Sequence, residues 1–144
     1  MNRILVLASA ALVVATPAFG QKEVVNMPGA TANPNAVLSN AIKVGSMIWV
    51  AGQLGTVQGD TASTIEKETT NALEKIKNTL QAGGFDMKDV VSVQVYLTDI
   101  ADFQKMNSVY RTYFAVDPKP TRTTVAVAKL VGTAKVEITA TAAK

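Results

Sequence analysis

Arg122 opens a β-rich run, Arg122 to Val127, directly behind a short loop that carries Pro118 and Pro120. The prolines break whatever precedes them and stiffen the approach, so the strand presents one guanidinium at its mouth. A guanidinium held in place is a carboxylate clamp, because its planar donor fork meets two oxygens at once. In this window alone the ordinary reading is a solvated strand-end arginine. Further on, Glu137 stands in a run whose alternate residues Val136, Ile138 and Ala140 are apolar, which puts Glu137 with Lys135, Thr139 and Thr141 on the other side. Arg122, Thr124 and Ala126 likewise share one side of their strand. An arginine, a threonine and a glutamate then converge if the two polar faces line one cleft.

The remaining residue set narrows the chemistry. The sequence has neither histidine nor cysteine, which removes an imidazole base, a thiolate nucleophile and a Cys/His zinc site. The formal net charge is only +3. The lysines are dispersed and no RNA-reading aromatic motif interleaves them, so nucleic acid is not an expected partner.

The elements that must position these residues begin after a leader. Met1-Asn2-Arg3 is a short positive start, Ile4 to Ala15 is uncharged and apolar or small, and Ala18-Phe19-Gly20 offers small residues where a signal peptidase reads. The run is short for a bilayer span and Pro17 follows it. The expectation is a signal peptide, residues 1–20, cleaved after Gly20, with Ala18 as the second choice. The mature chain, 21–144, is then one exported domain, periplasmic in a bacterium and without a membrane segment. Lacking cysteine, it must stand on its hydrophobic core alone.

Within that domain, Glu23-Val24-Val25 reads as a short strand, and Met27 to Ala36 as a loop. Asn40 to Val44 and Met47 to Ala51 flank Gly45-Ser46 as a hairpin. From Ser63 the apolar period becomes helical: Ile65, Thr69, Ala72, Leu73, Ile76 and Leu80 form one stripe over Thr64 to Ala82. Ser63 and Glu66 give a capping-box pattern, and Gly83-Gly84 the stop. The charged residues Glu66, Lys67, Glu68, Lys75 and Lys77 read as a solvated face. In the next strand Val91, Val93, Val95 and Leu97 share a side. A second helix follows, with Phe103, Met106, Tyr110, Tyr113 and Phe114 on one face. Asn107 falls within that apolar stripe and must find hydrogen-bond partners; its residue type reads as pinning the backbone of a neighbouring loop.

The order β-ββ-α-β-α-ββ predicts an α+β fold, a mixed sheet with both helices packed on one face. The other face keeps Val90, Tyr96, Ala126 and Ala128, apolar content that predicts burial against another subunit.

From about Val24 to Thr141 the sequence resembles the RidA/YjgF-type reactive-intermediate (imine) deaminase family. The pieces that carry the resemblance are Ser39 to Gly45, Ala51-Gly52-Gln53, Asp89-Val90-Val91 into Val95 to Asp99, and Phe103 with Met106 to Tyr110. Tyr113-Phe114, Pro120 to Val125 and Val136-Glu137-Ile138 complete the set, in this order. The resemblance implies a chorismate-mutase-like subunit in a homotrimer with clefts between neighbours. It implies hydrolysis of 2-imino acids, the tautomers of enamines, to 2-keto acids and ammonia, without metal or organic cofactor. Arg122 then matches the family's carboxylate clamp and Glu137 the residue that contacts the attacking water. Leu38, Ala51, Gly52, Asn107 and Thr124 fall at substrate-binding positions. The family commonly has Tyr, Ser and Cys where this chain has Leu38, Ala51 and Thr124. A second reading is a non-catalytic, exported trimer that binds another small carboxylate or acts as a chaperone.

Overall fold

The hairpin predicted around Gly45-Ser46 is present in the computed structural model, which describes residues 20–30, 33–60 and 62–144. Strand β2 (Ala41–Val44) and strand β3 (Met47–Leu54) pair antiparallel with Val44 opposite Met47. Gly45 makes the turn at φ 56°, a region that only glycine enters cheaply. Strand β1 (Glu23–Val25) adds to the outer edge of β2. The expected leader, Gly20 apart, lies outside the described residues.

Helix α1 (Ile65–Ala82) buries the whole stripe from Ile65 to Leu80. Its cap sits one residue later than the capping-box pattern suggests: the Thr64 hydroxyl accepts from the Lys67 N–H at 3.3 Å. Thr64 is the last extended residue, so its side chain, not that of Ser63, reaches the first free helical N–H groups. At the other end Gly84 takes a positive φ while the Phe85 N–H bonds Leu80 O, closing a Schellman turn. One expectation fails here. Glu68 is not on a solvated face but is 1% exposed, and Lys75 is partly buried.

Strand β4 (Val90–Leu97) points Val93, Val95 and Leu97 into the core. Val91 does not join them and is 45% exposed, because a register shift between Val90 and Ser92 turns it outward and Val90 inward. Helix α2 (Phe103–Tyr113) buries Met106 and Tyr110, with Phe114 just beyond its end, as its stripe predicts. It packs against α1, and the Tyr113 hydroxyl donates to Glu74 Oε1 at 2.7 Å.

The last two strands are not neighbours, although they follow one another in sequence. Strand β5 (Thr121–Ala126) lies parallel to β4 at one edge, and strand β6 (Val136–Ala143) inserts antiparallel between β3 and β4. The sheet order is β1-β2-β3-β6-β4-β5. A parallel β4–β5 pair needs a crossover, which α2 supplies. Both helices cover the face formed by Ile48, Val50, Val93, Val95, Val136, Ile138 and Ala140.

Among the described residues nothing covers the other face, which carries Trp49, 44% exposed, and Val125, 41% exposed. Tyr96 belongs to it, as expected, through its pairing with Glu137. Ala126 does not: it pairs with Leu97 and so takes the helix side, and Ala128 lies outside the strands. Among the described residues no helix is long and apolar enough to cross a membrane.

Candidate functional site

Register decides which way the candidate residues point. Arg122 is opposite Val93 and Thr124 opposite Val95, so both take the helix side of the edge strand β5. Glu137 is opposite Tyr96 and Leu54, one residue out of phase with the buried Ile138, and takes the uncovered side. The polar faces of β5 and β6 therefore do not line one cleft within a single chain. The reason is topological: β4 separates the two strands, and the parallel register fixes Arg122 over the core side.

Around Arg122 the site is built by α2. Arg122 Nη1 donates to Asn107 Oδ1 at 2.8 Å. The guanidinium carbon lies 4.4 Å from the centroid of the Tyr110 ring and 5.6 Å from that of Phe103. Asn107 thus bonds a side chain rather than the loop backbone its type suggests. Phe103, Asn107 and Tyr110 are four and three apart in sequence and so share one helix face, which makes a socket with two aromatic rings and one amide acceptor. Stacking and one hydrogen bond fix the plane of the guanidinium while sparing most of its five donors. Among the described residues Arg122 forms no ion pair. A depression of about 530 Å³ opens beside it, lined also by Tyr110, Phe114, Pro120 and the basic residues Arg111 and Lys119.

Two hydroxyls in this cluster have no hydrogen-bond partner among the described residues, those of Tyr110 and Thr124, and both oxygens are buried. Burial pushes the Tyr110 phenol up to about 12, against the opposing charge of Arg122, so it remains a neutral group at ordinary pH. Tyr110 was legible only as a core residue. Its spacing of three from Asn107 is the signal that ties it to the arginine.

Around Glu137 the second cluster forms at a bulge. The β3–β6 register shifts between Val50 and Gln53, leaving Ala51 and Gly52 as the irregular pair. A Cβ on Gly52 would overlap the Glu137 carboxylate, so glycine is what lets that carboxylate lie over the strand. The bulge is tied down on both sides: the Ala51 N–H bonds Asn40 O at 2.9 Å, and Gln53 Nε2 donates to Ala51 O at 3.0 Å. Beside Glu137 on the same face, the Thr139 hydroxyl donates to Gln94 Oε1 at 2.7 Å. Leu38 joins neither cluster. It is 64% exposed in the loop before β2, lining a separate groove with Val24 and Val37.

The structure therefore brings together Arg122, Asn107 and Thr124, and separately Glu137, Gly52 and Ala51. The first cluster can bind a carboxylate; the second can hold a water at a carboxylate edge. Among the described residues no group of three or more His, Cys, Asp or Glu is placed to hold a metal ion.

Comparison with known proteins supplies context for these clusters. The endoribonuclease L-PSP family model matches residues 29–144. A RutC family protein of Pyrococcus horikoshii is 41% identical over 118 residues, which span 77% of this chain and 90% of that protein. A 2-iminobutanoate/2-iminopropanoate deaminase of Dermatophagoides farinae is 34% identical over 120 residues, 81% of this chain and 92% of the mite protein. Among solved structures, E. coli TdcF with bound serine aligns with a TM-score of 0.72 at 28% identity, over 85% of this chain and 98% of TdcF.

Proposed function

The chain belongs to the endoribonuclease L-PSP family, the RidA/YjgF group, and on that footing we propose that it hydrolyses 2-imino acids to 2-keto acids and ammonia. The observation that carries the reading is Arg122: a guanidinium oriented by Asn107 and Tyr110, without a carboxylate partner among the described residues, beside an open depression. The mite relative bears the name of this activity, and TdcF was solved with a small amino acid.

The chemistry asks little of the protein. Arg122 receives the substrate carboxylate through two parallel N–H···O bonds. The protonated imine carbon is already electrophilic, so holding it against an oriented water supplies most of the rate. Glu137 accepts a proton from that water as the C–O bond forms. It returns that proton to the nitrogen of the tetrahedral adduct; the C–N bond then breaks as Glu137 takes the proton of the adduct's hydroxyl, and that proton leaves on the ammonia as ammonium. The balance is one iminium and one water in, one keto acid and one ammonium out.

Because Arg122 and Glu137 take opposite faces of the sheet, the reading requires Glu137 of the partner subunit at each Arg122. A homotrimer whose uncovered sheet faces turn toward one another meets that need, and the exposed Trp49 and Val125 are the apolar surface it would bury. The family description names a ribonuclease, but a chain without histidine lacks the acid–base group most suited to that work. The signal-like segment supports export, and the mature N-terminus of protein from the native cell tests it: Gln21 agrees, Met1 refutes.

A second reading is carboxylate binding without turnover, by an exported binding or chaperone-like trimer, favoured by Leu38, Ala51 and Thr124, which stand where the family commonly has Tyr, Ser and Cys. Ammonia release from imines generated by an amino-acid oxidase separates the two. Wild type must exceed buffer and Arg122→Ala must not; binding of small acids by calorimetry with no ammonia gain selects the second reading.

A further inference from the structure

Helix α1 turns a polar stripe, Glu68, Asn71 and Lys75, toward the sheet, at spacings of three and four that place all three on one helical face. Each reaches backbone rather than solvent. Lys75 Nζ donates to Leu54 O at 2.8 Å and to Thr56 O at 3.0 Å. Asn71 Nδ2 donates to Gly55 O at 3.0 Å. Glu68 Oε2 accepts from the Lys135 N–H at 2.7 Å. The Gly55 N–H in turn bonds Val136 O at 3.1 Å, and a Cβ on Gly55 would overlap Glu68.

These backbone groups frame one residue. Leu54 is the cross-strand partner of Glu137, Val136 precedes it, and Lys135 leads into its strand. Gly52, over which its carboxylate lies, is two residues before Leu54. Burying a carboxylate and an ammonium costs free energy that apolar packing would not. Here both charges are spent on main-chain atoms at the two strand ends that meet at Glu137. Arg122, on the far edge strand, has no bond to this stripe; its partners come from α2.

We propose that Glu68, Asn71 and Lys75 are positioning residues for Glu137, fixing both strand ends between which its carboxylate stands over Gly52. The proposal rests on the imine-hydrolase reading for its catalytic consequence, since there Glu137 orients the water. It separates two functions of the fold: α2 sets the carboxylate clamp, and α1 sets the water residue.

The test compares Lys75→Met, Asn71→Ala and Glu68→Leu with Glu68→Gln, which keeps an oxygen to accept from Lys135. In imine hydrolysis by folded protein, the first three lose roughly 10- to 100-fold in kcat with KM within about twofold, while Glu68→Gln stays near wild type. Unchanged kcat, a rise in KM alone, or an equal loss in Glu68→Gln overturns the proposal. Asn71→Ala, the mildest deletion, decides if the others fail to fold. The carboxyl carbon resonance of Glu137, assigned with Glu137→Gln, is a readout independent of turnover. It shifts in Asn71→Ala and Lys75→Met and holds in Glu68→Gln; no shift in either deletion overturns the proposal. If wild type hydrolyses no imine, the functional reading falls, and the resonance alone judges the positioning.

Discussion

Asn107 Oδ1 accepts from Arg122 Nη1 at 2.8 Å, so the acceptor that orients the guanidinium is neutral and leaves its positive charge for a substrate. Asn107→Ala removes one hydrogen bond to a charged group, of about 1.5–3 kcal/mol. Asn107→Asp does more harm, since a carboxylate at that position pairs with Arg122 and competes with the substrate. The expected order of KM in the imine assay is wild type, Asn107→Ala, Asn107→Asp, with about tenfold or more between the first two. An Asn107→Asp variant with wild-type KM contradicts the role assigned to Arg122.

Gly52→Ala tests the second cluster by shape alone. Gly52 is not among the positive-φ glycines, so alanine brings no strain to the backbone there, only a methyl group where the Glu137 carboxylate lies. The side chain of Glu137 must swing away, and kcat falls on the order of 100-fold with the fold retained. Far-UV circular dichroism and the melting temperature check the fold; full activity in Gly52→Ala removes Glu137 from the mechanism.

The proposed sharing of each site between two chains makes a quantitative forecast. Arg122→Ala and Glu137→Gln are each inactive alone. After unfolding and refolding together in equal amounts, random assembly gives about one quarter of the sites an intact pair, and activity returns to about that fraction of wild type. No recovery excludes a site shared between subunits. Trp49→Arg and Val125→Asp place charges on the uncovered face, and light scattering should find them as monomers without hydrolysis.

Tyr113 gives the protein an alkaline weakness. Burial, together with its bond to Glu74, pushes its phenol up to about 12. Both folded and unfolded chains keep the proton below about pH 10; between about 10 and 12 the unfolded chain loses it while the folded chain does not, so stability falls as pH rises. Burial lowers the pKa of Lys75, against the charge of Glu68, which acts in the opposite sense, so the test is a difference. Denaturant midpoints at pH 9 and pH 11.5 fall less in Tyr113→Phe than in wild type. An equal fall in both contradicts the assignment.

The stripes of α1 and α2, the Gly45 turn and the alternation in β6 were legible because each is a local period that burial then obeys. Among the features that were not, three have a non-local cause. Val91 left its expected side because a bulge forms against β6, and a bulge is set by the partner strand. Glu68 and Lys75 read as surface charges because nothing in their own helix shows the carbonyls and the N–H of distant loops that they reach. Arg122 and Glu137 read as able to line one cleft because their strands follow one another in sequence. Yet β6 pairs with β4 and β3, and β5, among the described strands, with β4 alone. Chemical type was readable; the side of the sheet was not.

That β5 is an edge strand bears on where the accuracy of the proposed carboxylate clamp is stored. A strand bonded along one flank breathes more readily than its neighbours, so β5 by itself holds Arg122 loosely. Its orientation is written instead in the helical interval from Phe103 through Asn107 to Tyr110. Inserting a single residue into α2 between Asn107 and Tyr110 therefore rotates the socket away by about 100° and erases the site without touching the arginine.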